Sequence, residues 1–600
     1  MRSVIDKDSW PNLVTMFFDQ AEKKGDAPFL GTKVGDEWQT ISWREAARQV
    51  AQVAEGLLEL GVRPGNRVML ISENRPEWCL ADLGIMAAGA ITVPAYTTNT
   101  ERDHLHILED SHARAAIVST TKLAKAFLPA AYQSDTCELL IGIEPLSIGQ
   151  SSGPQVRSWE DCFSSQPGDV AKAARLAENV KRDELACLIY TSGTGGAPRG
   201  VRQHHGAILC STAGAYDILE SDFGVTDERF LSFLPLSHAY EHTGGQFLPI
   251  MCGAEIYYSQ GLDRLAANIE ETGPTIMVVV PRLFEVLRQR IIKSIEKQGG
   301  AAKWMLDQAL RLGEIREKKG RLPLHERPLD MLLERTIRKR VRGRMGGRLK
   351  AMVSGGAPLN PEVGLFFEAL GVTLLQGYGQ TEAAPVISCN RPRAGIKMHT
   401  VGPPLKGVDV RIAEDGEILV SGELVMHGYW NNPEESARTL SDGWLHTGDI
   451  GHFDQDGHIV ITDRKKDLIV NDKGDNIAPQ RVEGMLTLQP EILQAMVSGD
   501  KRPYLVGLVV PDPEWMAEWA GKTGKPADLL TLKDDPEFVR AVTQAVDRVN
   551  KTLATVEKVR RIIIADAQFT VENEQMTPSM KIRRHIIRGV YGERLDALYR

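Results

Sequence analysis

The sequence predicts an α/β protein in two parts: a large N-terminal region of α/β layers that includes a small β subdomain, followed by a smaller α+β domain. Three observations support this fold class. The chain has 600 residues, more than one hydrophobic core organises, so at least two domains are expected. Helical and strand-like patterns alternate as far as about residue 390, which indicates layers on largely parallel sheets. After about residue 400 the pattern changes to short alternating strands.

The composition narrows the class of protein. Lys and Arg number 71 and Asp and Glu 79, for a net charge of −8, which argues mildly against nucleic-acid binding. The seven cysteines are never spaced as C-x-x-C, a pattern that suits a reducing cytosol and neither a disulfide framework nor a zinc site. Neither a signal peptide nor an apolar run of membrane-spanning length occurs. We therefore expect a cytoplasmic protein, with peripheral membrane attachment left open.

The first elements already show the α/β pattern. Ser42-Trp43-Arg44-Glu45 has the S-x-x-E form of a capping box, and it predicts a helix that ends near Gly61. A strand is predicted from Arg67 to Ser72, and the apolar segment Ala90–Pro94 follows another helical run.

A glycine-rich loop at 190–201 follows the apolar run Ala186–Ile189, which is typical of a buried strand. The loop has four glycines and five side chains that can donate hydrogen bonds, a composition that suits the binding of a polyphosphate. It does not match G-x-x-x-x-G-K-[ST]. Taken alone, such a loop is more often a turn or a linker.

The small β subdomain is predicted at about 400–462. Apolar alternation surrounds the turns Asp415-Gly416 and Asp456-Gly457, and Asp-Gly between such runs is a strong hairpin signal. Five charged residues, 463–467, then interrupt the pattern. They predict either a solvated loop or a domain junction, and residues 467–600 have the mixed pattern of an α+β domain.

Six motifs in order resemble the signatures of the adenylate-forming (AMP-binding) superfamily, and together they extend over nearly the whole chain. They are the loop at 190–201, Ser354-Gly355-Gly356-Ala357-Pro358-Leu359, Gln376-Gly377-Tyr378-Gly379-Gln380-Thr381-Glu382, Gly443-Trp444-Leu445-His446-Thr447-Gly448-Asp449, Asp463-Arg464-Lys465-Lys466 and Met576-Thr577-Pro578-Ser579-Met580-Lys581. The stretches 234–238 and 280–285 resemble the long-chain fatty acyl-CoA synthetase branch.

The resemblance implies an architecture and a reaction. It implies an ATP- and acyl-binding region at 1–462, with a helical insert at about 285–350, a hinge at 463–466, and a mobile C-terminal lid domain at 467–600. The implied reaction activates a fatty acid with ATP to acyl-AMP and pyrophosphate, and then transfers the acyl group to CoA. Alternatives within the fold are a ligase for aryl or bulky acids and an enzyme that stops at acyl-AMP. An alternative from another class is a non-catalytic nucleotide-binding or membrane adaptor.

The resemblance also implies roles for individual residues. The expected phosphate contacts are Thr191, Ser192, Gly193, Thr194 and Arg199. Glu382 is implied as the magnesium carboxylate, with a loop threonine (Thr194 or Thr191) beside it, since Mg²⁺ takes few protein oxygens besides phosphate oxygens. Gly195 and Arg199 depart from the Thr and Lys that the family usually has. We therefore expect phosphate binding to persist and the rate of the reaction to be altered.

Further positions are implied around the nucleoside and the reacting atoms. The adenine and ribose contacts are expected from Gly355, Gly356, Ala357, Gln376, Gly377, Tyr378, Thr381, Asp449 and Arg464. Lys581 is implied as the cation at the α-phosphate, with Glu382 and His238 as further catalytic candidates. Asp463 and Lys466 are implied as hinge residues. His238 and Tyr240 are candidates for the entrance of the acyl tunnel; the alternatives are a satisfied core histidine and a packing aromatic.

Two expectations concern partners. Only nineteen residues follow Lys581, so the expected acyl acceptor is free CoA and not a carrier domain. Residues 333–350 combine apolar Leu333, Ile337, Val341 and Met345 with a run of arginines and lysines. Such a helix either packs its apolar stripe on the protein's own core or lies on an anionic bilayer.

Overall fold

The computed structural model describes residues 5, 7–148, 153–165, 167–191, 198–465, 468–473, 475–577 and 581–600. The predicted opening helix is present as Trp43–Glu59, where the Ser42 hydroxyl accepts from the Glu45 N–H at 3.2 Å. Half of the predicted capping box therefore forms, and Gly61 lies two residues beyond the helix end with φ +88°. In the described part of the chain, no helix combines the length and the apolarity that crossing a bilayer needs.

The first sheet has seven strands among the described residues, of which six are mutually parallel and the last is antiparallel. From edge to edge they are Gln155–Ser158, Leu139–Gly142, Ala115–Val118, Arg67–Ile71, Ile91–Ala95, Leu185–Thr191 and Arg199–His204. Apart from the polar edge strand Gln155–Ser158, the parallel strands are buried along nearly their whole length, because helices cover both faces of such a sheet. The glycine-rich loop connects the last two strands.

The second sheet has eight strands in the described residues, with an antiparallel pair at each edge and parallel pairing between. From edge to edge they are Val386–Cys389, Leu374–Gly379, Ala351–Ser354, Ile276–Val279, Arg229–Ser232, Glu255–Tyr258, Pro28–Val34 and Glu37–Ser42. The largest hydrophobic core contacts both sheets. These two sheets confirm the predicted α/β layers.

Helices alternate with strands along the large region. Before the insert they are Leu13–Lys24, Trp43–Glu59, Pro76–Ala87, Glu101–Ser111, Thr121–Gln133, Val170–Glu178, His205–Ile218, Ala239–Glu241, Leu248–Cys252 and Leu265–Thr272. The insert contributes Pro281–Glu296, Gly300–Lys319, Arg327–Leu333 and Lys339–Arg344, and Pro361–Ala369 and Pro433–Thr439 follow.

The β subdomain is an antiparallel sheet, and both predicted Asp-Gly hairpins are confirmed. Its strands are Asp409–Ile412, Glu417–Ser421, Leu440–Ser441, Trp444–Phe453 and Ile459–Arg464. Asp415-Gly416 joins the first two strands, and Asp456-Gly457 joins the last two. The second hairpin places Asp449 directly opposite Arg464.

The C-terminal domain is the predicted α+β unit, with a hydrophobic core of its own. Its strands are Ile469–Val470, Asn476–Ile477, Ile492–Ser498, Leu505–Pro511 and Val559–Ile564, and its helices are Pro479–Leu486, Pro513–Thr523, Leu529–Leu532, Pro536–Asn550 and Arg584–Ala597. It contacts the insert of the large region through an exposed ion pair between Lys293 and Glu514. It also contacts that region where Leu488 packs against the core beneath the insert.

The apolar stripe at 333–345 is buried, which decides between its two interpretations. Leu333, Ile337, Val341 and Met345 all belong to the core that the insert shares with the second sheet. The membrane interpretation of this stripe is therefore wrong: its apolar side chains are already covered by protein and are unavailable to a bilayer.

Candidate active site

The candidate site lies where strands of both sheets end. Thr191 ends the strand that leads into the glycine-rich loop, and Arg199 lies opposite it on the returning strand. In the second sheet, Ser354 ends one strand and is paired with Gln376 of the neighbouring parallel strand, which continues to Gly379. Ligands of open α/β sheets bind outside the carboxyl ends of such strands.

Asp449 is held by two of the residues predicted with it. Its carboxylate is buried and accepts from the Tyr378 hydroxyl at 2.7 Å and from Arg464 Nε at 3.0 Å. Burial, with the Asp449 charge adding to it, raises the pKa of Tyr378 well above its ordinary value, so the phenol remains a donor. This arrangement holds in place a carboxylate whose oxygens only accept hydrogen bonds, which suits the recognition of two neighbouring hydroxyl groups.

Glu382 lies in the turn Thr381–Ala383, directly after the strand Leu374–Gly379. It is half-buried, and its Oε1 accepts from the Tyr429 hydroxyl at 2.8 Å. The Thr381 carbonyl accepts from Gln203 Nε2 at 2.7 Å, which ties this turn to the first sheet.

Arg199 contacts the same tyrosine from the other side. Its guanidinium lies over the Tyr429 ring, 4.4 Å from the centroid, and Nη1 donates to Glu435. A chain of contacts therefore runs from Glu435 through Arg199 and Tyr429 to Glu382. Arg199 keeps the cation that the loop was predicted to supply, with an acidic partner already beside it.

Lys581 brings the C-terminal domain to this site. Lys581 is exposed to water, yet the protein around its ammonium lowers the pKa of Lys581 to about 8. The charge of Arg464 lowers that pKa further, while Asp449 and Glu382 raise it. The charges of three predicted site residues therefore act on the ammonium of Lys581.

His238 and Tyr240 differ in what they offer. His238 Nδ1 accepts from the Tyr240 N–H at 3.2 Å, while burial and then the Lys581 charge lower the pKa of His238 to about 4. The imidazole is therefore neutral at neutral pH. Tyr240 is buried, with its hydroxyl donating to the Val353 carbonyl at 2.9 Å, as expected of a packing aromatic.

The predicted adenine turn shows why glycine is needed there. A side chain at Gly355 would come within 2.7 Å of the Tyr240 ring, and Gly356 has φ +82°. Ala357 is exposed, and Gly377 continues the strand beside Cys389. Gln376 is buried and donates its amide to the Met398 carbonyl, so its side chain is engaged within the protein.

Several predicted residues lie outside the described part of the chain. These are Ser192, Gly193, Thr194 and Gly195 of the loop and Lys466 of the hinge. Asp463 is the next-to-last residue of the strand Ile459–Arg464. Lys465, next to Lys466, bonds Asp415 at 2.6 Å and Glu417 at 3.1 Å, which ties the start of the junction to the β subdomain.

The sequence prediction missed Tyr429 and Glu435. Both belong to the stretch between the two predicted hairpins, where the Tyr429 N–H donates to Ser436 Oγ and a short helix begins at Pro433. The available signal was the aromatic pair Tyr429-Trp430 between Gly428 and Asn431. Turns are formed mainly by small and polar residues, so two aromatic residues within one are unusual.

Three buried polar atoms around the site have no hydrogen-bond partner among the described residues. They are Arg199 Nε, Ser354 Oγ and Gln380 Nε2. A buried polar atom without a partner is costly, and three of them at the strand ends fit a site that a polar ligand completes. Glu382 adds a half-buried carboxylate, which fits a Mg²⁺ ion held mainly by phosphate oxygens.

Comparison with known proteins places the chain in a family. The AMP-binding enzyme family matches residues 17–430, and the family of AMP-binding enzyme C-terminal domains matches residues 466–600. The fold is similar to that of the adenylation domain of a carboxylate reductase from Mycobacterium chelonae, with a TM-score of 0.77 and 22% identity over 99% of this chain and 92% of that one.

Two curated relatives match over nearly their full length. The long-chain-fatty-acid–CoA ligase FadD15 of Mycobacterium bovis is 31% identical, with 98% of this chain and 97% of the relative covered. The long-chain-fatty-acid–CoA ligase 6 of Homo sapiens is 29% identical over 100% of this chain and 89% of the relative. The chain belongs to the AMP-binding (adenylate-forming) enzyme family.

Proposed function

We propose that the protein is an ATP- and Mg²⁺-dependent ligase that joins a long-chain fatty acid to CoA, with acyl-AMP as intermediate and pyrophosphate and AMP as products. Two full-length relatives that carry this name support the substrate class. The observation that carries the proposal is the ammonium of Lys581, from the C-terminal domain, within electrostatic reach of Glu382 and Asp449 on the large region.

In the first step, a carboxylate oxygen of the fatty acid attacks the α-phosphorus of ATP, the bond to the β-phosphate oxygen breaks, and pyrophosphate leaves. Both reactants are anions, so the site has to hold them in line and supply positive charge. Lys581 supplies this charge at the α-phosphate, and Arg199 with the glycine-rich loop supplies it at the β- and γ-phosphates. Asp449 accepts from the ribose hydroxyls, and Arg464 and Tyr378 hold its carboxylate in place.

Glu382 is the residue that would hold magnesium, with Thr191 or Thr194 as a second protein oxygen. When bound, the ion would neutralise part of the negative charge of the phosphate groups. The Tyr429 hydroxyl, donating to Glu382 Oε1, keeps the other oxygen of that carboxylate free to face the triphosphate. Arg199 holds the tyrosine ring from the far side.

In the second step, the thiol of CoA attacks the acyl carbonyl carbon, and AMP leaves. Lys581 has no role in that step, so the C-terminal domain is free to turn about residues 463–466 and present another face. The neutral His238 caps the short helix Ala239–Glu241, and the charge of Lys581 acts on its imidazole. It is a candidate to contact the acyl group or the thiol.

We further propose that the enzyme works in the cytoplasm. All seven cysteines are buried and free, which suits a reducing compartment.

The test is ATP–pyrophosphate exchange across a panel of short, long and aromatic acids, followed by CoA-dependent release of AMP. The proposal predicts exchange that is fastest with long-chain fatty acids and AMP release that needs CoA. Fastest exchange with aromatic acids would instead identify an aryl-acid ligase, and exchange without CoA-dependent release would identify an enzyme that stops at acyl-AMP. ATP binding without any exchange would leave a non-catalytic nucleotide-binding protein.

A further inference from the structure

The insert carries a strong positive charge in an acidic protein. Residues 315–350 contain thirteen Lys and Arg against four Asp and Glu, whereas the whole chain has a net charge of −8. The apolar stripe of this segment is buried, and most of its basic side chains are exposed, although Arg338 is buried. A single-sign surface of this kind attracts a polyanion or an anionic surface.

Four arginines of the insert line one surface cavity of about 580 Å³, and Leu322 and Met331 line it with them. The arginines are Arg316, Arg321, Arg327 and Arg335. Arg316 is paired with Asp330 at 3.0 Å. No hydrogen bond or ion pair engages the guanidinium groups of Arg321, Arg327 or Arg335 within the described residues, which include the entire insert.

The two acidic residues of the same cavity are already neutralised. Asp330 accepts from Arg316 at 3.0 Å and from Arg338 at 2.7 Å, and Glu334 is paired with Arg342. The three unpaired guanidinium groups are therefore the net charge of the cavity. Each offers a fork of N–H donors that matches a phosphate group.

Large apolar side chains are exposed in the same segment of the insert, and one of them, Met331, lines the arginine cavity. Leu324 is 74% exposed, Met331 54% and Leu332 49%, all within nine residues of one another. The same corner of the insert therefore combines solvent-exposed leucine and methionine with unpaired arginines. This combination is typical of surfaces that insert apolar side chains between lipid chains while basic side chains contact the headgroups.

We propose that this corner, residues 321–335, docks the protein on a bilayer that contains anionic phospholipids. Phosphate recognition alone would explain the arginines, but an RNA or a free phosphate gives Leu324, Met331 and Leu332 nothing to contact. A bilayer satisfies both groups at once. The docking surface serves the proposed function, on which its purpose rests, because a long-chain fatty acid is dissolved mainly in lipid.

The experiment is co-sedimentation of the full chain with phosphatidylcholine vesicles, with and without phosphatidylglycerol. We expect binding only to the anionic vesicles, weakening as salt is raised. The triple variant R321E/R327E/R335E should bind at least about 100-fold more weakly, since each basic residue at an anionic surface raises the affinity roughly fivefold. The matched control K122E/K125E/K551E makes the same charge change at exposed sites elsewhere and should bind as the unaltered protein does.

A second variant tests the apolar part of the docking surface. L324S/M331S/L332S should reduce binding to anionic vesicles even at low salt, where the arginines remain effective. Three results would overturn the proposal. The unaltered protein could bind neutral and anionic vesicles equally, the matched control could lose as much binding as the arginine variant, or the protein could bind a short RNA and no vesicles. Exchange activity with detergent-solubilised fatty acid should be unchanged in both triple variants. Absence of exchange activity in the unaltered protein would count against the proposed function instead.

Discussion

The hydroxyl of Tyr429 gives the sharpest test of how the site is built. It donates to Glu382 Oε1 at 2.8 Å while Arg199 covers its ring at 4.4 Å. Tyr429→Phe removes the donor and keeps the ring and its contact with Arg199. Because a hydrogen bond to a charged group contributes about 1.5–3 kcal/mol, the loss could reach the order of 100-fold. Glu382 is only half-buried, so water replaces part of the bond, and we expect about a 10-fold fall.

The assay is ATP–pyrophosphate exchange measured over a range of Mg²⁺ concentrations. Tyr429→Phe should lower kcat/KM for ATP and raise the Mg²⁺ concentration needed for half-maximal rate. Tyr132→Phe, which removes a hydroxyl from a tyrosine that is 45% exposed, is the matched control and should be neutral. In a double variant with Glu382→Gln, the two losses should be less than additive. Fully additive losses, or an unchanged Mg²⁺ requirement, would refute the contact chain.

Three further predictions concern charge and packing. Since the pKa of Lys581 is lowered to about 8, its ammonium is lost above that pH. The kcat/KM for adenylation, which reports the protonation state of the free enzyme, should therefore fall above about pH 8, and Lys581→Arg should abolish that fall. Charge reversal at Lys293 or Glu514 should change the ratio of the adenylation rate to the thiolation rate about two- to fivefold, as for an exposed ion pair. The double reversal should restore the ratio, and a ratio that stays altered would exclude the pair as a domain contact. Leu333→Ala should lower the free energy of unfolding by about 2–5 kcal/mol because Leu333 is fully buried, whereas the exposed Leu324→Ala should change it by less than about 0.5 kcal/mol in denaturant titration.

Local patterns predicted the elements, but long-range contacts decided the site. The Ser42 cap and the two Asp-Gly hairpins follow from neighbouring residues alone, and the structure has all three. The bond between Tyr429 and Glu382 joins residues 47 positions apart. No period or turn signal reports such a contact, because it exists only once the β subdomain packs against the second sheet.

The same limit applies to charges and to apolar stripes. Arg199 predicted a phosphate cation, but its partner Glu435 is 236 positions away. The apolar residues that recur every four positions from Leu333 to Met345 predicted an apolar face. They did not indicate what covers it, since a protein core and a bilayer select the same residues. Only burial in the structure separated the two interpretations.

The central claim is that a cation from the C-terminal domain acts at the ATP site during adenylation and at no other step. Lys581→Ala should be measured in both half-reactions, as ATP–pyrophosphate exchange with fatty acid and as acyl-CoA formation from supplied acyl-AMP and CoA. The account predicts that exchange is nearly abolished while conversion of acyl-AMP is largely retained. Equal loss of both half-reactions, or exchange at the rate of the unaltered enzyme, would contradict it.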